Sequence, residues 1–350
     1  MEAIHSLRIG NVELKNNIIL APMAGITDLP FRVLCASFGA AMTCTEMISA
    51  KAIFYNNKNT YDLMRTDDSE PIVSLQLFGN EPPLMADMAR RLEDEGIRYD
   101  ILDINMGCPV PKVVNNGEGS ALLKNPALAG RIVEEIVNVT GRPVTAKIRI
   151  GFDMDSINAV EMAHVLEESG ASAVMVHGRT RSQYYSGEAN WDVIGEVKSK
   201  VNIPVIGNGD ISCYRDIVEM YNKTGVDGYM IGRAVRGNPW LFEGVLRENE
   251  IDTGEVSDKW DTSLEADCFV ADGNDYKPEW SEIREMIIKH ARMLVEYKGE
   301  YIGVREMRKH SAWYTAGLPN SGAFRGRVNL VESIEELENL LTETDFLVQK

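Results

Sequence analysis

Cys108 lies in Asp103-Ile-Asn-Met-Gly-Cys-Pro-Val-Pro-Lys112, where an apolar run leads straight into a Gly-Cys-Pro turn. A thiol gives or takes a proton at modest cost, and at the carboxyl end of a strand it faces a site rather than a core. The plain alternative is a small buried hydrophobe. The next residues, Val113-Val-Asn-Asn-Gly-Glu-Gly-Ser120, are too polar to fill a core and predict an open loop beside the thiol.

Other chemistry-bearing side chains fall at comparable places. Ala21-Pro-Met-Ala-Gly-Ile-Thr27 forms a compact turn whose backbone can lie against a flat ring, or simply a connecting turn. Gln76, Lys147 with Arg149 behind it, and His177-Gly-Arg-Thr-Arg181 each end an apolar run. Any one of these could be ordinary surface; together, in register, they read as a site. Gly207-Asn-Gly-Asp210 and Gly232-Arg233 end the last two runs, where glycines let backbone N–H groups approach an anion. The expected occupant is a phosphorylated cofactor. No G-x-G-x-x-G follows a strand with an acid about twenty residues on, which argues against a Rossmann dinucleotide site. Lys147, aimed at the axis, suits a cofactor that becomes anionic on reduction.

Eight short apolar runs must position these groups: Ile18–Leu20, Met42–Glu46, Ile72–Gln76, Ile101–Ile104, Pro143–Lys147, Ala173–Val176, Pro204–Ile206 and Gly228–Ile231. Helix-period segments alternate with them, among them Pro82–Glu95, Pro126–Val139, Ser156–Glu168 and Cys213–Lys223. The alternation predicts an α/β fold, a closed (β/α)8 TIM barrel, with a doubly wound sheet as runner-up because sequence does not show closure. The expected domains are the barrel over 1–245, an acidic linker or insertion over 246–282 and a small all-helical domain over 283–350.

The chain has 350 residues and a formal net charge of −17. Phosphate binding draws on clustered Lys and Arg, so this total speaks against a nucleic-acid partner. Its distribution weakens that argument. Residues 248–282, whose basic residues are Lys259 and Lys277, contribute about −10, whereas 283–330 carry roughly +5. Within that island Arg305, Arg308, Lys309 and His310 fall on about one and a half helical turns, and Arg325 and Arg327 are expected in a Gly-rich loop. A solvated face neutralised by Glu306 is the plain alternative. Trp313 and Tyr314 read as core. The five cysteines, widely spaced and odd in number, suggest neither a disulfide framework nor a metal site. With no leader-like start and no apolar span, a cytoplasmic monomer without membrane association is expected.

Seven segments together resemble the tRNA-dihydrouridine synthases: Ala21–Arg32, Leu75–Gly79, Asp103–Lys112, Lys147–Gly151, Val176–Thr180, Ile206–Ile211 and Met230–Ala234. Val304-Arg-Glu-Met-Arg-Lys-His310 and Gly317-Leu-Pro319 are most similar to the bacterial B type. The resemblance implies FMN as cofactor, NADPH or NADH as reductant and tRNA as substrate. It implies that Pro22, Met23 and Ala24 line the flavin, that Gln76 and Lys147 hydrogen-bond its ring, and that His177 lies beside its phosphate or the incoming base. Asn208, Gly209, Asp210, Gly232 and Arg233 would hold the phosphate end. Cys108 would protonate C5 of a uracil after hydride reaches C6, and Arg305, Arg308 and Lys309 would contact tRNA. Asn105 would either bond the uracil edge or cap the Gly-Cys-Pro turn. The acidic segment 248–282, with Trp260 and Cys268, departs from the family pattern and has no functional account.

Two rival readings remain. One is a flavin barrel acting on a free pyrimidine, which would need no basic helical surface. The other is an RNA-binding protein that keeps an idle barrel, against which the intact Cys108, Lys147 and glycine loops argue.

Overall fold

A computed structural model describes residues 2–254 and 278–343. Trp260, Cys268 and most of the acidic segment lie outside the described residues. An antiparallel hairpin of β1 (Leu7–Ile9) and β2 (Val12–Leu14), not anticipated from the sequence, precedes the barrel. The barrel strands are β3 (Ile18–Leu20), β4 (Met42–Cys44), β6 (Val73–Phe78), β7 (Ile101–Met106), β8 (Val144–Arg149), β9 (Ala173–His177), β10 (Val205–Asn208) and β11 (Gly228–Ile231). A two-residue strand, β5 (Ile48–Ser49), extends the edge of β6. Pairing is parallel throughout, and β4 joins β6 to close the ring. The barrel is therefore closed rather than doubly wound. Buried on both faces, its strands carry Val, Ile, Leu and Met with little alternation, as parallel strands require.

Several strands run two residues further than the apolar runs predicted. Lys147 and Asn105 sit inside β8 and β7, and His177 and Asn208 end β9 and β10. Ladder hydrogen bonding continues past the last apolar residue because these polar side chains point into the barrel mouth rather than into packed core. Register then sets neighbours: Gln76 opposite Asp103, Asn105 opposite Lys147, Arg149 opposite His177, and His177 opposite Asn208.

Helix Leu241–Thr253 leaves the barrel, and helices Trp280–Lys298, Glu300–Tyr314, Ser321–Val328 and Ile334–Thr342 pack around Ile287, Leu294, Met307, Phe324 and Leu340. Leu34 and Trp240 of the barrel belong to that same core, so the helical region is seated on the barrel. Gly237, at φ +69°, lies so close to the Trp313–Tyr314 backbone that an added Cβ would sit 2.3 Å from the Trp313 carbonyl carbon. No described helix is long and apolar enough to cross a membrane.

Candidate active site

A cavity of about 600 Å³ opens at the carboxyl ends of the strands. Its lining includes Pro22, Met23, Ala24, Gln76, Asn105, Cys108, Lys147, His177, Asn208, Gly209, Asp210, Gly232 and Arg233, so every expected cofactor residue is brought to one place. That volume lies within the range of small-molecule sites, roughly 300–1,000 Å³.

The Cys108 turn is held from three sides. Asn105 Oδ1 accepts from the N–H groups of Gly107 (3.2 Å) and Cys108 (2.9 Å), which is the capping arrangement. Arg149 Nε donates to Gly107 O at 2.9 Å, while its Nη1 donates to Thr180 O and Tyr184 O. Below, Ser120 donates its N–H and its hydroxyl to Cys108 O, at 3.1 and 2.8 Å. The stretch 113–120 is thus not the open loop predicted. Glu118 and Ser120 are buried and Gly119–Lys124 is a 3-10 helix; polar residues tolerate burial here because the backbone of the turn supplies partners. Cys108 remains partly exposed, and burial pushes its thiol up against the opposing pulls of the Val110 N–H and Arg149.

On the neighbouring strand β8, Lys147 Nζ donates to Asn208 Oδ1 at 2.9 Å, and Asn208 Nδ2 donates to Met230 O at 2.7 Å. Asn208 therefore orients the lysine, with its own polar atoms engaged in doing so. Burial, then the neighbouring Arg149, lowers Lys147 to about 8. His177 is pushed well below its ordinary range by burial and by Lys147, Arg149, Arg179 and Arg233, so its ring is neutral. Asp210 is engaged by its neighbours: its carboxylate meets Arg179 at 2.7 Å and Arg233 at 3.1 Å and accepts from Ala189 N–H. An acidic side chain would repel a phosphate, whereas the guanidinium groups it orients attract one. Burial raises this carboxyl, but those bonds outweigh it and its affinity for a proton is lowered overall.

Arg149, named in the sequence without a role, shares a strand face with Lys147 two residues away, the period of a strand. Met47, Tyr184, Tyr185 and Arg236 also line the cavity and carried no distinguishing sequence signal. Tyr185 is half exposed, with Arg233 4.8 Å and Arg149 5.7 Å from its ring centre. Among the described residues no group of three His, Cys, Asp or Glu could hold a metal ion.

The basic island is less uniform than its sequence. Arg305 pairs with Glu332 at 3.2 Å over the Tyr301 ring, Arg308 Nε donates to Val331 O at 2.9 Å, and Lys309 Nζ donates to Gly25 O on the cavity rim. His310 is fully buried between Phe31, His290 and Trp313, which removes it from any basic surface. Arg325 and Arg327 stand on helix Ser321–Val328, not in a loop, because Asn320 starts a helix whose Phe324 and Val328 have core to reach.

A family model described as Dihydrouridine synthase (Dus) matches residues 19–349. A probable tRNA-dihydrouridine synthase of Rickettsia conorii is 40% identical over 97% of this chain and 99% of its own. The tRNA-dihydrouridine synthase B of Pseudomonas putida is 40% identical over 94% and 91%. Among solved structures, histamine dehydrogenase from Rhizobium sp. 4-9 superposes with a TM-score of 0.53 at 14% identity, over 71% of this chain and 47% of that one. An amine oxidase of Pseudomonas geniculata N1 gives 0.55 at 14% identity, over 71% and 49%. Those two share the barrel fold. With near-full-length relatives at this identity and a family match spanning barrel and helical region alike, the chain belongs to the dihydrouridine synthase family.

Proposed function

We propose that this protein reduces the C5=C6 bond of specific uridines in tRNA to 5,6-dihydrouridine, using FMN and a nicotinamide reductant, with Cys108 as proton donor. The observation that carries the reading is the shared cavity. It brings a partly exposed thiol, a buried, hydrogen-bonded lysine and the guanidinium groups of Arg149 and Arg233 into one chamber.

The lining suits FMN. Lys147, Arg149, Arg233 and Arg236 of the lining exceed Asp210 in charge, and the buried Arg179 that pairs with Asp210 has an Nη1 with no hydrogen-bond partner among the described residues. Gly209 holds φ +118°, which glycine adopts without strain, and lines the cavity with backbone alone. Gly209, Gly232 and Arg233 would hold the phosphate, with Asp210 acting through its arginines. Pro22, Met23 and Ala24 would lie along the ring, with Gln76 and Lys147 at its polar edge. When bound, FMN supplies hydride transfer between a nicotinamide and the uracil C5=C6 bond. Lys147, charged below about pH 8, stabilises negative charge in the cavity. His177, neutral, can accept or donate one hydrogen bond without adding charge.

Cys108 then acts as an acid. Hydride arrival at C6 leaves enolate-like charge at C5, and a positioned donor there is worth roughly 10² to 10⁴ in rate. The raised thiol keeps its proton until that charge appears. One Asn105 Nδ2 proton goes to Gln76; the other faces Met47 Sδ at 3.9 Å, a weak acceptor, and is available to a uracil carbonyl. Arg305 and Lys309 are the cations through which the helical region would meet tRNA phosphates. A free pyrimidine would need no such surface. The test is direct: protein with flavin, NADPH or NADH and unmodified tRNA should yield dihydrouridine. Protein that stays colourless when FMN is added would sink the proposal.

A further inference from the structure

Beneath the thiol, four side chains form a single directed hydrogen-bond chain. Asp103 Oδ2 accepts from Gln76 Nε2 at 2.7 Å, Gln76 Oε1 accepts from Asn105 Nδ2 at 2.7 Å, and Asn105 Oδ1 accepts from the Gly107 and Cys108 N–H groups. Thr145 Oγ1 donates to the other carboxylate oxygen, Asp103 Oδ1, at 2.7 Å. Asp103, Gln76 and Asn105 are buried, and register sets Gln76 opposite Asp103 on adjacent strands.

We infer that Asp103 is a positioning residue for Cys108: its carboxylate fixes the direction of both amides and so aims the Asn105 oxygen at the thiol-bearing turn. This rests on the proton-donor reading of Cys108 for its functional meaning, but its geometry stands apart from it. A primary amide has a donating and an accepting side, so each amide passes the demand of one neighbour to the next. An ionised carboxylate only accepts, which forces the Gln76 NH2 toward it. The Gln76 oxygen must then face Asn105, whose NH2 turns to meet it. That leaves the Asn105 oxygen for two backbone N–H groups, which only donate. Both ends demand the same direction, and a neutral group in place of Asp103 removes one of the two demands. The ionisable groups facing Asp103 are Lys147 on β8 and the Cys44 thiol on β4. Burial raises Asp103 to about 6, against the hydrogen bonds from Gln76 and Thr145. Its protonated form gains an O–H donor and loosens the chain.

The experiment is amide hydrogen exchange on the flavin-loaded protein, read at residues 105–110, alongside dihydrouridine formation. Asp103→Asn should speed exchange of the Gly107 and Cys108 amides roughly tenfold, the worth of one hydrogen bond. Product formation should slow while flavin content and flavin reduction by NADPH hold. Adding Gln76→Glu moves the acceptor-only group one step along the chain and should restore amide protection. In the unaltered protein, protection at these amides should fall as pH drops from about 7.5 to about 5, an arm that needs no variant to fold. Unchanged exchange in Asp103→Asn, or protection that is flat with pH, overturns the inference. So does equal loss of flavin reduction and product formation, which marks a general structural role. Failure of the unaltered protein to form dihydrouridine would strike the proposed function instead, and the exchange result would still decide the chain.

Discussion

Lys298 Nζ and Asp28 Oδ2 meet at 2.7 Å across the junction of barrel and helical region, with the Asp28 side chain 3% exposed. Lys298 also meets Glu306 at 2.6 Å, and the turn that Asp28 closes is Ala21–Thr27, which lines the cavity. Gly25 of that turn donates to Glu46 and accepts from Lys309. The helical region therefore does more than sit on the barrel; it grips the turn that forms one wall of the site.

Lys298→Met should accordingly cost roughly 2 kcal/mol of stability, since it strands a buried carboxylate that had a charged partner. Thermal unfolding measures the loss, and a melting temperature equal to the parent's would show that Asp28 finds another partner.

Cys108→Ala should leave flavin binding and NADPH oxidation intact while dihydrouridine formation falls by roughly 10² to 10⁴. Nucleoside analysis of the tRNA product reads this, and a full yield from the variant removes the thiol from the chemistry.

Lys147 carries a pH signature with two opposed signs. Its folded value of about 8 lies below the ordinary 10.5, so the unfolded chain holds the proton across that window and folding stability rises as pH climbs through it. The cation is lost over the same range, so flavin affinity or its rate of reduction should decline above about pH 8. Lys147→Met should abolish that limb, and a limb that survives belongs to another group.

Gly209→Ala should weaken flavin binding and cost about 1–3 kcal/mol. The residue holds φ +118°, and a Cβ there meets both Ala189 at 2.9 Å and His177 at 3.0 Å. Flavin titration and unfolding of the variant give the two numbers; normal values in both would mean that the His177 wall yields easily.

Arg305→Gln with Lys309→Gln should lower tRNA affinity and reduce the slope of log affinity against log salt by about one for each phosphate no longer neutralised. Arg308 needs separate treatment, because its bond to Val331 O makes it part of the helical fold. A slope identical to the parent's would exclude this surface from phosphate binding.

The barrel and the place of Cys108 were legible because buried parallel strands write themselves as apolar runs and because Gly and Pro mark where each run stops. Less legible was the distinction between residues that touch a ligand and residues that aim other residues. Asp210 and Asn208 sit in the right turns, yet their side chains are spent on Arg179, Arg233 and Lys147. Asn105 caps the turn, which is one of its two readings, and sends its remaining N–H toward Met47, a residue of the cavity lining. Periodicity reports burial; it does not report partners. His310 shows this most sharply, since its neighbours Arg308 and Lys309 made it look basic while the helix turned it inward onto Phe31.

The hairpin of β1 and β2 packs Leu7, Ile9 and Leu14 into one apolar core with Ile19 and Ile206 of the barrel strands, and that core runs on through Met175 to Met230, which lines the cavity. The cavity at the carboxyl ends of the strands thus rests on packed side chains. On the proposed function, a nicotinamide and a tRNA nucleotide that both reach one flavin in this cavity would have to take turns, each leaving before the other enters. Steady-state rates measured at several fixed levels of either substrate should therefore give parallel double-reciprocal lines rather than converging ones.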